Sequence, residues 1–321
     1  MEEKTIQQLT IRVGISQCLL GEMVRYDGGH KRDLYLTDVL GNYFDWVAVC
    51  PELEVGMGVP RESVRLVLGS DGVKMVGNKS GEDWTKRVNT FSEKRVKQLA
   101  ELELCGFIFK SKSPTCGMER VTLYTEKGMP AKNGVGLFAD VFMKTFPQIP
   151  TEEEGRLNDA HIRENFIVRI FSYSRLKHLM ANFSRGALVQ FHTIHKYLML
   201  AHSERHYREL GVIVGNAKSM KPTELKAKYS ELFMEGLSVK ATTKKHVNVL
   251  MHILGYFREH LSTEQRAEIL SVIEDYHKEY VPLVVPIMLI NHYIKLHKVE
   301  YLCDQVYLHP HPKELMLRNR V

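Results

Sequence analysis

Three cysteines are placed where loops would bring distant parts of the chain together. Cys18 and Cys50 each come at the end of a short apolar segment, and Cys116 lies in the loop that follows Gly106–Phe109. If these apolar segments are parallel strands, the loops at their carboxyl ends meet at one edge of the sheet, where ligands bind. We therefore expect the thiols of Cys18, Cys50 and Cys116 to converge on a single site.

The spacing of these cysteines disfavours some kinds of thiol chemistry and leaves others open. They are not arranged as local Cys-x-x-Cys pairs, so zinc ribbons and bacterial ferredoxins are poor matches. Cys105 precedes its apolar segment and Cys303 lies in the second half, so neither fits the same edge. Each cysteine taken alone is also a common buried apolar residue. Three thiolates on a cubane iron–sulfur cluster would leave one iron without a protein ligand, and an open iron is a Lewis acid that accepts sulfur.

Three ordered segments around these cysteines resemble a known family. They are Cys18–Gly21 with Val24–Gly28, Cys50–Glu52 with Gly58–Arg61, and Lys110–Gly117. Together they are similar to the signature of the thiouracil desulfurases, and the similarity spans roughly residues 10–148. The resemblance implies a 4Fe–4S cluster held by Cys18, Cys50 and Cys116, with a free iron that takes the thiocarbonyl sulfur of the substrate.

Two further residues match functional positions of that family. By motif position, Glu52 corresponds to its acid/base residue and Ser113 to its hydroxyl residue. Hydrolysis of C=S to C=O needs water to attack the ring carbon and sulfide to leave, and a carboxylate can activate that water. Without the resemblance, Glu52 would be interpreted as a helix-capping carboxylate and Ser113 as a turn residue before Pro114. Thr115 stands where a serine is more usual, and we expect no large effect from this difference.

Charged residues beside two of the motifs are candidates for substrate contacts. Arg25 and Asp27 lie in a turn after Cys18, and Arg61 follows Pro60. An arginine at such a place could hold the base or a phosphate of the substrate. The alternative for Arg25 and Asp27 is an Asp-Gly turn with a surface ion pair.

The elements that would hold these residues form an α/β domain. Apolar patterns predict strands at Ile11–Ser16, Trp46–Cys50, Gly106–Phe109 and Val121–Tyr124, a hairpin in Val64–Val76, and helices at Asp33–Asn42, Asp83–Leu104 and Gly136–Phe146. Alternating strands and helices indicate a mostly parallel sheet with flanking helices. The polar segment Gln148–Gly155 is the predicted boundary, so we expect a catalytic iron–sulfur domain over residues 1–150 and a second domain over residues 160–321.

The second half of the chain predicts an all-α bundle. Long amphipathic patterns cover Asp159–Phe183, Arg185–Leu210, Pro222–Leu237, Thr242–Leu261, Thr263–Tyr276 and Pro282–Val299. Ser262 followed by Gln265 is a signal for helix capping. This half resembles the YbgA-type helical domain through Phe191–Tyr197, Leu200–Ser203, Tyr207, Leu210–Gly211 and His246–Phe257.

Charge also separates the two halves. Residues 160–321 hold 23 Lys and Arg against 15 Asp and Glu, together with 14 of the 15 histidines, whereas residues 1–159 are slightly acidic. A basic half is typical of a module that binds a polyanion. The candidates for RNA contact are His192, His195, Lys196, Arg205, Arg208, Lys244 and Lys245. The alternative is a bundle with solvated lysines and packed histidines.

The two resemblances together lead to a functional hypothesis. The fused arrangement is similar to bacterial desulfidases that remove sulfur from 4-thiouridine in tRNA, in which the helical domain is thought to bind RNA. It implies a non-redox enzyme whose partner is tRNA or a thiolated nucleobase or nucleoside. Two alternatives remain open. One is a desulfurase of free thiouracil with a purely structural helical half, and the other is a nucleic-acid-binding sensor with a zinc ion or a cluster.

Composition is that of a globular protein outside membranes. The chain has 321 residues, of which 44% are hydrophobic and 26% charged. No apolar run reaches the ~18 residues needed to cross a bilayer, and the polar start, Met1–Val13, does not resemble a secretory signal. We expect a cytoplasmic protein without a disulfide framework, and no obligate protein partner is evident.

Overall fold

The computed structural model describes residues 11–320, and the chain divides into two units between Asn158 and Asp159. Residues 1–10, on which the expected lack of a secretory signal mostly rests, lie outside the described residues. Within the described part, no helix is long and apolar enough to cross a membrane.

The N-terminal unit contains two four-stranded sheets. The strands are β1 (Ile11–Ser16), β2 (Phe44–Val49), β3 (Val64–Gly69), β4 (Gly72–Gly77), β5 (Gly106–Phe109), β6 (Val121–Thr125), β7 (Pro130–Gly134) and β8 (Thr151–Glu153). The first sheet has the order β2-β1-β5-β8, and its pairings are all parallel. The second sheet is mixed, with the order β4-β3-β6-β7. The predicted α/β fold is confirmed, but its strands are divided between two sheets.

The central strands of the parallel sheet are buried and pack closely. Val13 and Ile15 of β1, and Phe107 and Phe109 of β5, are fully buried, as expected for parallel strands covered on both faces. Gly14 leaves room for the neighbouring strand, because a Cβ at this position would lie 2.2 Å from Cδ2 of Phe107. Because Gly14 has no side chain, β1 and β5 can pair directly next to the ring of Phe107.

The predicted boundary segment is in fact part of the sheet. Residues 151–153, inside Gln148–Gly155, form β8 and pair in parallel with β5. The charged composition suggested a linker, but the carboxylates are satisfied by hydrogen bonds. Glu153 accepts the backbone N–H of Met118 at 2.8 Å, and Glu154 accepts that of Ser111 at 2.7 Å. The unit boundary therefore lies after this strand.

The helices of the N-terminal unit cover the sheets. They are α1 (Pro51–Glu54), α2 (Thr85–Glu101) and α3 (Leu137–Thr145), and the predicted helix near residue 35 is a π turn, Tyr35–Val39, followed by a 3-10 turn, Leu40–Asn42. Aromatic rings fix α3 on the parallel sheet. The ring centroids of Phe107 and Phe142 are 4.7 Å apart, and those of Phe109 and Phe138 are 6.4 Å apart. The N-terminus of α3 is thereby held near the end of β5.

The C-terminal unit is helical, as predicted. Its helices are α4 (Ala160–Ala181), α5 (Arg185–His202), α6 (Glu204–Gly215), α7 (Pro222–Ser238), α8 (Thr243–Gly255), α9 (Thr263–His277), α10 (Val284–His297) and α11 (Glu300–Cys303). The predicted helix over residues 185–210 is divided at Ser203, which has an extended backbone and whose hydroxyl accepts the N–H of His206 to cap α6. Ser262 and Gln265 form a capping box at α9.

Burial lowers the pKa of several histidines in the helical unit, and three of them, His195, His202 and His246, are at most 8% exposed. Burial lowers the pKa of His195 to about 3 and that of His202 to about 4, and it lowers the pKa of His246 well below its ordinary value. Nearby cations add to the effect, with Arg175 close to His195 and Arg318 close to the other two. These imidazoles are therefore neutral in the folded unit.

We expect the helical unit to lose stability as the pH falls from 7 to 5.5. Folding lowers the pKa of each buried histidine. Below about pH 6.5 the unfolded chain therefore binds more protons than the folded chain does. Stability is therefore lost below the unfolded pKa of about 6.5, by roughly 1 kcal/mol per histidine over this interval. Urea unfolding followed by circular dichroism at the two pH values measures the loss. His195→Gln should reduce it and the exposed His252→Gln should not; equal slopes in all three proteins would contradict the assignment.

Candidate active site

A pocket of about 330 Å³ lies at the carboxyl ends of β1, β2 and β5. Cys18, Cys50 and Cys116 all line this pocket. The three strands are parallel neighbours, so the loops that follow them meet at one edge of the sheet. Cys105 lies just before β5, at the opposite end, and Cys303 lies in the helical unit. The structure thus brings together the three cysteines that the sequence singled out and leaves out the other two.

The first two cysteine loops are fixed by backbone hydrogen bonds. The carbonyl of Cys18 accepts the N–H of Lys31 at 2.9 Å. Cys50 is the N-cap of α1, and Pro51 occupies the first helical position, where no N–H is needed. The N–H of Cys50 donates to Oε1 of Glu54 at 3.0 Å. These contacts hold the backbone that carries the two thiols.

The Cys116 loop is bound by the N-terminus of α3. The carbonyl of Thr115 accepts the N–H groups of Phe138 at 3.0 Å and Ala139 at 3.1 Å. Such N–H groups have no partner inside the helix, so the loop satisfies them. Gly136 permits the close approach, because a Cβ there would lie 2.6 Å from the carbonyl carbon of Thr115. The helix therefore sets the position of Thr115 and of the adjoining Cys116.

The three thiols line a poorly solvated part of the pocket, and this burial disfavours their ionisation to thiolates. Burial raises the pKa of Cys18 to about 11, although nearby Lys110 opposes the shift. Burial also raises the pKa values of Cys50 and Cys116, and the charges of Glu52 and the other two cysteines raise that of Cys116 further. Thiolates in this part of the pocket need a positive partner, as metal ligation provides.

The arrangement of the thiols fits a group larger than one ion. Across residues 11–320, no three side chains of the types His, Cys, Asp and Glu lie close enough to share a single metal ion. Cys18, Cys50 and Cys116 nevertheless face one pocket and influence one another electrostatically. Soft thiolate ligands spread around such a space suit an iron–sulfur cluster better than a mononuclear site.

Glu52 lies in the same pocket, and both of its carboxylate oxygens accept hydrogen bonds. Arg61 donates to Oε2 from Nε at 3.2 Å and from Nη2 at 2.5 Å, and Thr115 Oγ1 donates to Oε1 at 2.8 Å. Arg61 Nη1 also donates to the carbonyls of Val24 and Gly58, and only 6% of the Arg61 side chain is exposed. Arg61 therefore positions Glu52, and because Arg61 also lines the pocket, its substrate contact stays a prediction.

Two hydroxyl groups form a chain that ends on Glu52. Ser113 Oγ accepts the N–H groups of Thr115 and Cys116 and lies 2.9 Å from Thr115 Oγ1. Thr115 has one hydroxyl hydrogen and gives it to Glu52, so Ser113 must donate its own to Thr115. Both hydrogens thus point toward the carboxylate, and a proton can move along the chain between Ser113 and Glu52.

Thr115 belongs to this site, although sequence reasoning assigned it no role. We expected no large effect from a threonine at a serine position. The structure shows that this hydroxyl connects Ser113 with Glu52. The retained hydroxyl was the only signal in the sequence, since the contact joins positions far apart in the chain.

The two remaining predicted substrate residues differ in their surroundings. Arg25 lines the pocket, and its Nε has no hydrogen-bond partner, although Asp27 Oδ1 lies 3.4 Å away. Asp27 is outside the pocket lining and accepts the N–H of Gly29 at 3.1 Å. The Asp-Gly turn expected as the alternative is therefore the role of Asp27. Lys110, which binds Glu154, is one of five cationic side chains in the lining.

His195 is the predicted RNA contact that the structure contradicts. Only 1% of its surface is exposed, and its Nδ1 lies 2.8 Å from the carbonyl of Phe191. Its ring stacks on that of Phe191 with centroids 3.9 Å apart. A neutral, buried imidazole cannot contact a phosphate, so the prediction for His195 is wrong.

The other predicted RNA contacts are partly engaged within the helical unit. Arg205 pairs with Glu235 and Arg208 with Glu204, Lys245 donates to the carbonyls of His202 and Lys240, and His192 lies 3.3 Å from the hydroxyl of Tyr229. Lys196 lies over the ring of Tyr301, with Nζ 4.8 Å from the centroid. Lys244 is exposed, and no described carboxylate pairs with it. Lys196 and Lys244 therefore remain the best placed to meet a polyanion.

Comparison with known proteins divides the chain in the same way as its fold. Residues 13–154 match the family model described as 2-thiouracil desulfurase, and residues 196–312 match one described as a protein of unknown function, DUF1722. A solved structure described as the 4Fe–4S-dependent thiouracil desulfidase TudS is 25% identical, with a TM-score of 0.39, and the match covers 47% of this chain and 95% of that chain.

The helical part also has a relative among known proteins. The uncharacterized protein YbgA of Escherichia coli strain K12 is 32% identical over 165 residues, which cover 51% of this chain and 98% of the relative. The fusion that the sequence motifs indicated is thereby confirmed. The chain belongs to the YbgA family, and it carries a 2-thiouracil desulfurase domain in addition to the YbgA-like helical domain.

Proposed function

We propose that this protein removes sulfur from 4-thiouridine in tRNA, converting C=S to C=O and releasing hydrogen sulfide. The observation that carries the proposal is the single pocket in which three cysteine thiols meet Glu52 and its hydroxyl chain. The 2-thiouracil desulfurase domain supports an enzyme that acts on thiolated uracil. The choice of a polynucleotide substrate rests on the basic helical unit.

Cys18, Cys50 and Cys116 would hold a 4Fe–4S cluster. When bound through three thiolates, such a cluster keeps one open iron, which supplies a Lewis acid for the thiocarbonyl sulfur. The protein contributes a poorly solvated surface around the cysteine ligands. It also contributes fixed loops, because the cysteine backbones are held by Lys31, Glu54 and the N-terminus of α3.

Glu52 acts as the general base in this proposal. It takes a proton from the water that attacks the ring carbon, while Arg61 holds Oε2 in place. Oε1 accepts the hydrogen bond from Thr115 and keeps another lone pair, which can take the proton of the water. Once Glu52 is protonated, the hydroxyl hydrogens of Thr115 and Ser113 turn the other way, and the chain carries the proton toward the departing sulfur. Water supplies the new carbonyl oxygen and both hydrogens of hydrogen sulfide, so no net electron transfer is needed.

The size of the pocket favours an extruded base. The pocket has a volume of about 330 Å³ and would hold the cluster as well, so it leaves room for little more than a single base. A stacked thiocarbonyl could not reach the pocket wall, so the nucleotide must turn out of its helix or lie in a loop. Arg25 lines the pocket, so its guanidinium can donate hydrogen bonds to an oxygen of the base or of the adjoining phosphate.

The helical unit is the proposed RNA-binding part. Residues 160–321 carry a net charge of +8, which favours a polyanion, and phosphate contacts of this kind weaken with salt. Lys196 lies beside two aromatic rings, Tyr256 and Tyr301, that stack with centroids 4.9 Å apart. Tyr256 is 39% exposed, so its ring is accessible to a base.

Free thiouracil is the second candidate substrate. It is favoured by the description of the N-terminal family and by a pocket that needs no more than a base to fill it. In that case the helical unit would only stabilise or assemble the protein, and salt would not affect turnover. A sensor without catalysis is the third possibility, and it assigns no role to Glu52.

Desulfurisation of tRNA is the direct test of the substrate. The cluster is reconstituted without oxygen, the enzyme is incubated with bulk bacterial tRNA, and 4-thiouridine and uridine are quantified after digestion. We expect loss of 4-thiouridine with an equal gain of uridine, and no reaction with Cys116→Ser. Turnover of free thiouracil alone would favour the second candidate, and no turnover of either would favour the sensor.

Glu52→Gln should abolish turnover while the cluster stays bound. The amide keeps most of the shape of the side chain but cannot accept the proton, so we expect kcat to fall at least about 100-fold. Visible absorbance of the cluster, measured beside the rate, separates catalysis from cofactor loss. The exposed Glu93→Gln on α2 is the control. Normal turnover in Glu52→Gln would disprove the assigned base.

Thr115→Val and Thr115→Ser test the hydroxyl chain as a pair. Valine has nearly the same shape but breaks the link between Ser113 and Glu52, so we expect kcat to fall roughly 10- to 100-fold with little change in cluster content. Serine keeps the hydroxyl and should retain turnover within about threefold of the parent, as expected for an intact hydrogen bond. An unchanged rate for Thr115→Val would show that no proton passes through this residue.

A further inference from the structure

The helical unit contains a second cavity, of about 690 Å³, that the proposed desulfurisation does not use. It lies among the N-terminal ends of α4 and α8, the last residue of α5, the segment after α9 and the C-terminal segment. Its apolar wall is formed by Val168, Tyr276, Val281, Leu283 and Leu317. The volume falls in the range of small-molecule sites, about 300–1,000 Å³.

Three polar side chains are buried in this wall. His202, His246 and Arg318 are 4%, 8% and 8% exposed, and all three line the cavity. His202 and His246 belong to two of the segments that carry the resemblance to the YbgA family. Buried polar groups are costly unless they are hydrogen-bonded, so their partners decide what the cavity can bind.

Each of these side chains is held by the protein on one side only. His202 Nδ1 lies 2.7 Å from the carbonyl of Val239, and His246 Nδ1 lies 3.0 Å from the hydroxyl of Tyr307. Arg318 donates from Nε to Glu164 at 2.9 Å and from Nη1 to the carbonyl of Tyr307 at 2.6 Å. Among the described residues, no hydrogen bond reaches Nε2 of either histidine or Nη2 of Arg318. Three nitrogens are thus left for a ligand.

The cations of the cavity lie near the buried imidazoles and at its edge. Arg318 and Lys245 lie near both buried imidazoles and help to lower their pKa values. Three carboxylates also line the cavity, but two are engaged. Glu164 binds Arg318, and Asp159 caps α4 by accepting the N–H groups of residues 161 and 162, which leaves only Glu279 at the edge.

The edge of the cavity offers three positive groups for an anion. Lys240 and Arg320 line it and are exposed, and no described carboxylate forms a salt bridge with either, although the charge of Asp159 lies near that of Lys240. The third is the N-terminus of α8, where Thr242 caps the N–H of Lys245 and the other N–H groups of the first turn have no partner inside the helix. A phosphate placed there would meet two side-chain cations and the positive end of the helix dipole.

We propose that this cavity binds a nucleoside monophosphate unit. The phosphate is held by Lys240, Arg320 and the N-terminus of α8. The base packs against Tyr276 and Leu283 and is read by the free nitrogens of the buried histidines. The unit comes either from a free nucleotide or from one nucleotide of an RNA chain, and both sources present the same chemistry to the cavity.

Calorimetric titration of the full chain with uridine 5′-monophosphate tests this site. We expect binding that the double variant Lys240→Gln/Arg320→Gln weakens at least 10-fold, while Lys295→Gln, an exposed lysine of α10 outside the cavity, leaves it unchanged. Uridine and inorganic phosphate alone should each bind at least 10-fold more weakly. No binding, or binding that the double variant does not affect, would overturn the proposal, as would phosphate binding as tightly as the nucleotide.

A short single-stranded oligouridine distinguishes the two sources. Binding at least 10-fold tighter than that of the mononucleotide, and still sensitive to Lys240→Gln/Arg320→Gln, assigns the cavity to RNA; equal or weaker binding assigns it to a free nucleotide. Turnover of free 4-thiouracil is measured in the same variant. It should match the parent, because the catalytic pocket belongs to the other unit, so failure of this site is separable from failure of the desulfidase proposal.

Discussion

The hydrogen bonds between the N-terminus of α3 and the carbonyl of Thr115 are the contact on which the catalytic pocket depends. They place Cys116, the last of the three thiols, and they place the hydroxyl that reaches Glu52. The contact is possible only because Gly136 has no side chain and because phenylalanine rings hold α3 against β5. One helix terminus therefore couples the ligand wall to the acid–base group.

A second constraint is that the pocket keeps its thiols neutral and its carboxylate paired. The thiols are buried and their pKa values are raised, so they stay neutral without a metal partner. Glu52 is held by Arg61, which is itself bound to two backbone carbonyls. The fixed pair preorganises the carboxylate before substrate arrives, and such preorganisation is a major source of catalytic power.

The two units have different chemical characters that suit one kind of substrate. The N-terminal unit has thiols, a carboxylate and hydroxyls at a sheet edge, which is a place for covalent chemistry on a ring. The helical unit has buried neutral imidazoles and surrounding cations, which is a place for recognition without reaction. Under our proposals, a nucleotide offers its base to the N-terminal unit and its phosphate to the helical unit.

The sequence by itself determined the α/β and helical halves, and it indicated that Cys18, Cys50 and Cys116 belong together while Cys105 and Cys303 do not. These are local properties, because strand ends and helix periods are written in consecutive residues. Only the tertiary structure decided that the charged residues 151–153 form a strand, that Arg61 positions Glu52, that Thr115 joins Ser113 to Glu52, and that His195 is buried. Each of these depends on partners distant in the chain. Side-chain pairing across folded elements, unlike periodicity, leaves little trace in a single sequence.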